Sequence, residues 1–222
     1  MTTATPTVHT YFLLDRSGSM QAIADDVVGG FNAFLASQQA DGDDMRMTLV
    51  QFDSHDPHEV IADAVPIAEI APLTSADFEP RGGTPLYDAM GQVIADATIR
   101  AEQRAGAGEA PEEIVFVTFT DGMENQSHEY DRDQIFTLVE KREKKGWTSV
   151  YLGANQDAYA EGGHFGMRAT STQNWTADGD GVHLAYASVD RAMLAKRGDV
   201  RALRIHDRTD FFRGVKEAEE KK

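Results

Sequence analysis

An α/β fold, with a mostly parallel central sheet, helices on both faces and one antiparallel strand at an edge, is predicted by three observations. Apolar runs of strand length alternate with longer segments whose apolar residues recur at helical spacing, the pattern of strands joined by covering helices. Two of those runs, Val8 to Leu14 and Glu113 to Phe119, are almost continuously apolar, as strands covered on both faces must be. The third observation is a pair of strand-like segments, Met45 to Phe52 and Val60 to Val65, separated only by a turn containing Asp56-Pro57. A link that short favours antiparallel pairing.

The first strand runs from about Val8 to Leu14, after a polar stub at residues 1–7 expected to be disordered. Ile23, Val27, Val28, Phe31, Phe34 and Leu35 share one helix face, so a helix from about Gln21 to Gln38 covers the sheet. Asp41-Gly42-Asp43-Asp44 ends it and leads into the antiparallel pair. Leu86, Met90, Val93, Ile94 and Ala97 mark the next helix, with Pro85 suited to its first turn. Arg104 to Pro111 then reads as a connection. Glu113 to Phe119 is the most apolar strand, Asp131 to Lys145 a helix, and Thr148 to Leu152 a further strand. Past it, the pattern predicts a loop around Gly162 to Gly166, a short edge strand near Met167 to Thr170, and a last helix from about Val182 to Lys196. The main domain spans 8–196, with 197–222 as a C-terminal extension.

Charge and composition narrow the function. The 222 residues hold 21 Lys plus Arg against 37 Asp plus Glu, a formal charge of −16. Such a field repels phosphate backbones and anionic lipid, so neither nucleic acid nor membrane is an expected partner. There is no cysteine, hence no disulfide framework and no thiolate metal site. The first residues lack the basic and apolar parts of a secretion signal, and a cytoplasmic location is expected.

The chemistry concentrates where the first strand ends. Tyr11-Phe12-Leu13-Leu14 runs directly into Asp15-Arg16-Ser17-Gly18-Ser19, which places a carboxylate and two hydroxyls in a strand-to-helix turn. Hard oxygens gathered at one point suit Mg²⁺, which takes about six oxygen ligands at roughly 2.0 to 2.1 Å and tends to retain some water. Crossover connections place the ends of parallel strands on one edge, so Asp15 and Asp121 are expected to meet there.

At these residues the chain resembles the von Willebrand factor type A domain, whose metal-ion-dependent adhesion site opens with Asp-x-Ser-x-Ser. Arg81-Gly82-Gly83-Thr84-Pro85-Leu86-Tyr87-Asp88 is similar to the family's threonine loop, and Glu113 to Gly122 resembles its central strand ending in aspartate. The resemblance implies a Rossmann-like fold and a metal site of Asp15, Ser17, Ser19, Thr84 and Asp121, with Mg²⁺ as the ion and Mn²⁺ or Ca²⁺ as substitutes. It implies a binding module rather than an enzyme, in which the ion captures an Asp or Glu side chain of a protein partner. A regulatory role beside an ATPase or in a stress-response complex is the partner class it implies. It also implies that the last helix shifts when the ion gains a carboxylate.

Other features carry less. A Mg²⁺-dependent phosphohydrolase using Asp15 as nucleophile is the alternative, but its motif requires a second acid where Ser17 stands. His55, Asp56, His58 and Glu59 lack recognised ligand spacing and read as a solvated turn. Asp178-Gly179-Asp180-Gly181 starts like a calcium loop, yet the twelfth position is Val189 instead of glutamate, so a turn is expected. Gly162 to Gly166 is no dinucleotide fingerprint, and His9, His128, His164, His183 and His206 have no nucleophile motif beside them.

Overall fold

Along β1 (Val8–Asp15) successive side chains enter opposite faces of the sheet. Val8, Phe12 and Leu14 join one hydrophobic core, Tyr11 and Leu13 the other, which is why this strand is apolar at consecutive positions. The computed structural model describes residues 7–154, 157–202 and 210–212. Beside β1 lie β2 (Met45–Phe52), β3 (Glu59–Pro66), β4 (Glu113–Thr120), β5 (Thr148–Ala154) and β6 (Thr172–Trp175). They form one sheet in the order β3-β2-β1-β4-β5-β6. All neighbouring pairs are parallel except β2 with β3, as the short turn between them requires.

Helices α1 (Ala24–Ala40) and α5 (Gly179–Arg201) cover one face, burying Val27, Phe31 and Phe34 against Val182, Tyr186 and Val189. Tyr186 stacks on Phe119 of β4 with ring centres 4.8 Å apart. The other face is covered by α2 (Leu86–Gly106), α3 (Arg132–Glu143) and α4 (Ala158–His164), through Leu86, Met90, Val93, Ile135, Val139 and Ala158. The predicted α/β class, with helices on both faces, is the one observed.

Several local expectations are corrected. The chain after Ser17 does not enter an α-helix at once; residues Gly18–Ile23 wind as a tighter 3-10 helix before α1 begins. The Met20 amide donates to the Ser17 carbonyl, while both serine hydroxyls serve other contacts. α2 continues to Gly106, into the segment expected to connect. Gly162 and Gly163 belong to α4, not to a loop, and Asp157 caps that helix by accepting from the Tyr159 and Ala160 amides. Glycine lowers helical propensity by about 1 kcal/mol, which hid the helix. At Gly162 it is required, because a Cβ there would lie 2.7 Å from Thr172 Oγ1.

The edge strand is Thr172–Trp175, not Met167 to Thr170. Its buried Gln173 donates to Ser188 Oγ, so a polar residue occupies a core position and breaks the apolar pattern. Asp178 caps α5 through the Gly181 amide at 2.7 Å, so the calcium-like string opens a helix and is not a free turn. That helix also runs past the expected Lys196 and includes Arg197–Arg201; the proposed extension therefore begins inside it. Residues 1–6 of the expected stub, His206 and most of the expected extension lie outside the described residues.

The amino edge of the parallel strands is dense in paired charge. Arg197, fully buried, donates to Asp44 through Nε and Nη2, to the Gln38 carbonyl at 2.7 Å and to the Gly42 carbonyl at 2.7 Å. Lys196 donates to Glu113 at 2.8 Å and Thr148 at 3.2 Å. Glu112 contacts His9 at 3.2 Å and Arg46 at 3.0 Å. Burial pushes the His9 imidazole below its ordinary pKa, against the pull of Glu112.

Candidate metal centre

Since Leu14 of β1 lies opposite Phe119 of β4, Asp15 and Asp121 leave adjacent strands at the same edge. Asp15 is wholly buried. One carboxylate oxygen accepts from the Ser17 amide at 2.7 Å and the other from the Thr120 hydroxyl at 2.5 Å. Burial pushes its pKa up to about 7, with repulsion from Asp121 in the same direction and these hydrogen bonds opposing. Burial also raises Asp121, although the Ser19 hydroxyl, donating at 2.6 Å, works against it. Among the described residues no basic side chain pairs with either carboxylate.

The hydroxyls meet the same point. Ser17 Oγ and Ser19 Oγ are 3.1 Å apart, and Thr84 is buried beside them. A Cβ added at Gly122 would lie 3.0 Å from Thr84 Oγ1 and 3.6 Å from Ser19 Oγ; glycine there keeps that gap free of side chain. All five residues singled out in the sequence thus sit at one sheet edge.

A further set of residues, missed by sequence reasoning, holds these loops in register. Arg16, next to Asp15, turns away from it and donates to Asp53 through Nε at 3.0 Å and Nη2 at 2.7 Å, and to Gln51. Arg81 donates to the same Asp53 oxygen at 3.0 Å. Burial opposes ionisation of Asp53, but the His55 and Asp56 amides and Arg16 outweigh it and hold its pKa below the ordinary value. Backbone bonds from Gly18 N–H to the Gly82 carbonyl, and from Arg81 N–H to the Arg16 carbonyl, complete the clasp.

On the other side, Asn125 Oδ1 accepts from the Thr84 amide at 2.9 Å, and the Asn125 amide donates back to the Thr84 carbonyl at 3.1 Å. Asp88 accepts from the amides of His128, Glu129 and Tyr130, and Glu124 from those of Tyr87, Gln126 and Ser127. The one signal available beforehand was the presence of Asp88 within the threonine-loop motif. His55, Asp56, His58 and Glu59 do not converge: Glu59 pairs with Arg16, and His58 meets Asp96 at 2.9 Å.

Two carboxylates and three hydroxyls, without thiolate or imidazole, make a donor set for a small hard cation. Burying two carboxylates side by side costs free energy unless a positive charge joins them. The residues therefore fit a divalent ion. Among the described residues there is no group of three His, Cys, Asp or Glu of the usual metal-holding kind; the candidate set is completed by hydroxyls.

No protein-family model matches the sequence, and no curated protein matches it. Solved structures do match in fold. A von Willebrand factor type A protein from Catenulispora acidiphila aligns with a TM-score of 0.57 at 16% identity, over 86% of this chain and 43% of that one. The VWA domain of SpRpn10 aligns with a TM-score of 0.56 at 14% identity, over 80% and 92% of the two chains. The manganese-loaded TRAP protein of Plasmodium vivax gives 0.52 at 13% identity, over 79% and 70%. The chain has the von Willebrand factor type A fold, a Rossmann-like α/β architecture. It spans less than half of the Catenulispora chain.

Proposed function

We propose that this protein is a cytoplasmic binding module that captures a carboxylate of a protein partner through Mg²⁺ held by Asp15, Ser17, Ser19, Thr84 and Asp121. The observation that carries the reading is the convergence of two buried carboxylates, lacking a cationic partner among the described residues, on three hydroxyls at one sheet edge. When bound, the ion supplies an electrophilic position for a partner oxygen. Asp15 and Asp121 offset its charge, Ser17, Ser19 and Thr84 offer neutral oxygens, and Asp53 and Asn125 hold the loops that carry them. Leaving most of the donors neutral keeps the ion attractive to a further anion.

The surroundings favour a partner of particular composition. Met123, two residues beyond Asp121, is 60% exposed and offers an apolar contact beside the centre. A domain of charge −16 repels acidic proteins at long range, so the captured Asp or Glu belongs in a basic patch. The manganese-loaded state of the TRAP protein supports a divalent ion in this fold. The phosphohydrolase reading gains no support, because its motif requires a second acid where Ser17 stands.

Affinity capture in Mg²⁺ tests the proposal. Partners retained by the wild type should be released by chelator and not retained by Asp121→Ala. Retention indifferent to both chelation and substitution would refute it. Mg²⁺-dependent phosphatase activity lost in Asp15→Asn would establish the alternative.

A further inference from the structure

At the amino edge of the sheet, opposite the candidate metal centre, α2, the start of β4, the end of α3 and the last turns of α5 surround a cleft of about 900 Å³. That volume falls in the range of small-molecule sites, roughly 300 to 1,000 Å³. Arg142 lines the cleft and is only 8% exposed, and its Nε has no hydrogen-bond partner. The guanidinium carbon lies 5.5 Å from the Trp147 ring centre, and no carboxylate among the described residues forms an ion pair with it.

Of the acids that line the cleft, Glu102 is exposed and the other three are committed elsewhere. Glu109 pairs with Arg104 at 2.6 Å, Glu112 contacts His9 at 3.2 Å, and Glu113 accepts from Lys196 at 2.8 Å. The end of α3 offers Arg142 at most about half an elementary charge. A buried charge is costly unless paired. Arg142 is therefore the counterpart of Asp15 and Asp121, with the sign reversed.

We propose that this cleft binds an organic monocarboxylate, its anionic end accepting hydrogen bonds from Arg142. Lys145 lines the same cleft and adds positive charge, while Ala101, Ala105, Pro111 and Ile114 receive an apolar body. Glu102, Glu109, Glu112 and Glu113 also line the cleft, and their summed charge disfavours nucleotides and other polyanions.

Calorimetric titration of the full chain with 4-phenylbutyrate and its uncharged amide tests this. The acid should bind saturably in EDTA as well as in Mg²⁺. The amide should bind at least about tenfold more weakly, the scale of a charge-assisted hydrogen bond. Arg142→Gln should lose a similar factor for the acid alone, and Arg142→Lys should recover part of it. Circular dichroism checks that the variants fold; if Arg142→Gln does not, the acid-to-amide ratio on wild type decides. Equal binding of acid and amide, absence of saturation, dependence on Mg²⁺, or a folded Arg142→Gln that binds like wild type would each overturn the assignment.

Discussion

Arg142 apart, the two edges of the sheet treat buried charge in opposite ways. At the amino edge Arg197, Lys196 and His9 each meet an acid or a carbonyl, so most of the cost of burial is offset inside the molecule. At the carboxyl edge two acids lie together, and the guanidinium of Arg16, next to Asp15 in sequence, is turned to Asp53. Both edges are dense in polar groups, so density alone does not mark a site. What separates them is whether opposite signs or like signs are brought together: the former secures packing, the latter calls for a ligand.

The comparison can be broken most sharply at Arg197. Arg197→Ala leaves Asp44 with Arg201 alone, at 3.3 Å, and takes a buried donor from the carbonyls of Gln38 and Gly42, and should cost about 3 kcal/mol in urea unfolding. A loss under about 1 kcal/mol, as for an exposed pair, would mean the amino edge is not secured by these charges. Next in size, Mg²⁺ at a hundredfold its dissociation constant should raise the unfolding free energy by about 2.7 kcal/mol. The rise should vanish with chelator, and its absence would remove the distinction between the edges.

Asp121→Ala should weaken Mg²⁺ binding at least about tenfold by calorimetry, equivalent to about 1.4 kcal/mol. In metal-free buffer the same variant should be as stable as wild type or more so, since one of two repelling acids is gone. Destabilisation without metal would place Asp121 among the structural charges instead. The smallest effect is expected from Asn125→Ala, which removes the acceptor for the Thr84 amide. It should lower Mg²⁺ affinity by about 1 kcal/mol, with the fold intact by circular dichroism.

How much could be read beforehand varied with how local the signal was. β2 is predicted residue for residue, because its apolar run is bounded by an acidic turn on one side and Asp53 on the other. The five candidate residues lie in three short motifs, each weak alone and legible through their order and context together. Asp53 was not, since its role depends on Arg16 and Arg81 reaching it from other segments. α4 reads as a loop because glycines weaken the helical signal, and β6 is expected too early because Gln173 sits where an apolar residue is expected. Arg142 gave no signal at all: a basic residue near a helix end is ordinary, and only the fold removes its partners.

The anchoring of Arg197 also bears on the order in which the chain can be completed. Its partners Gln38 and Asp44 precede it by 159 and 153 residues. During synthesis at roughly 5 to 20 residues per second, the end of α1 waits on the order of ten seconds for its guanidinium. Strands β1, β2 and β4 can pair in that interval, but α5 cannot yet cover Phe12, Phe34 and Phe119. Until it does, an aromatic face is open to other nascent chains, and the docking of α5 both seals that face and neutralises Asp44.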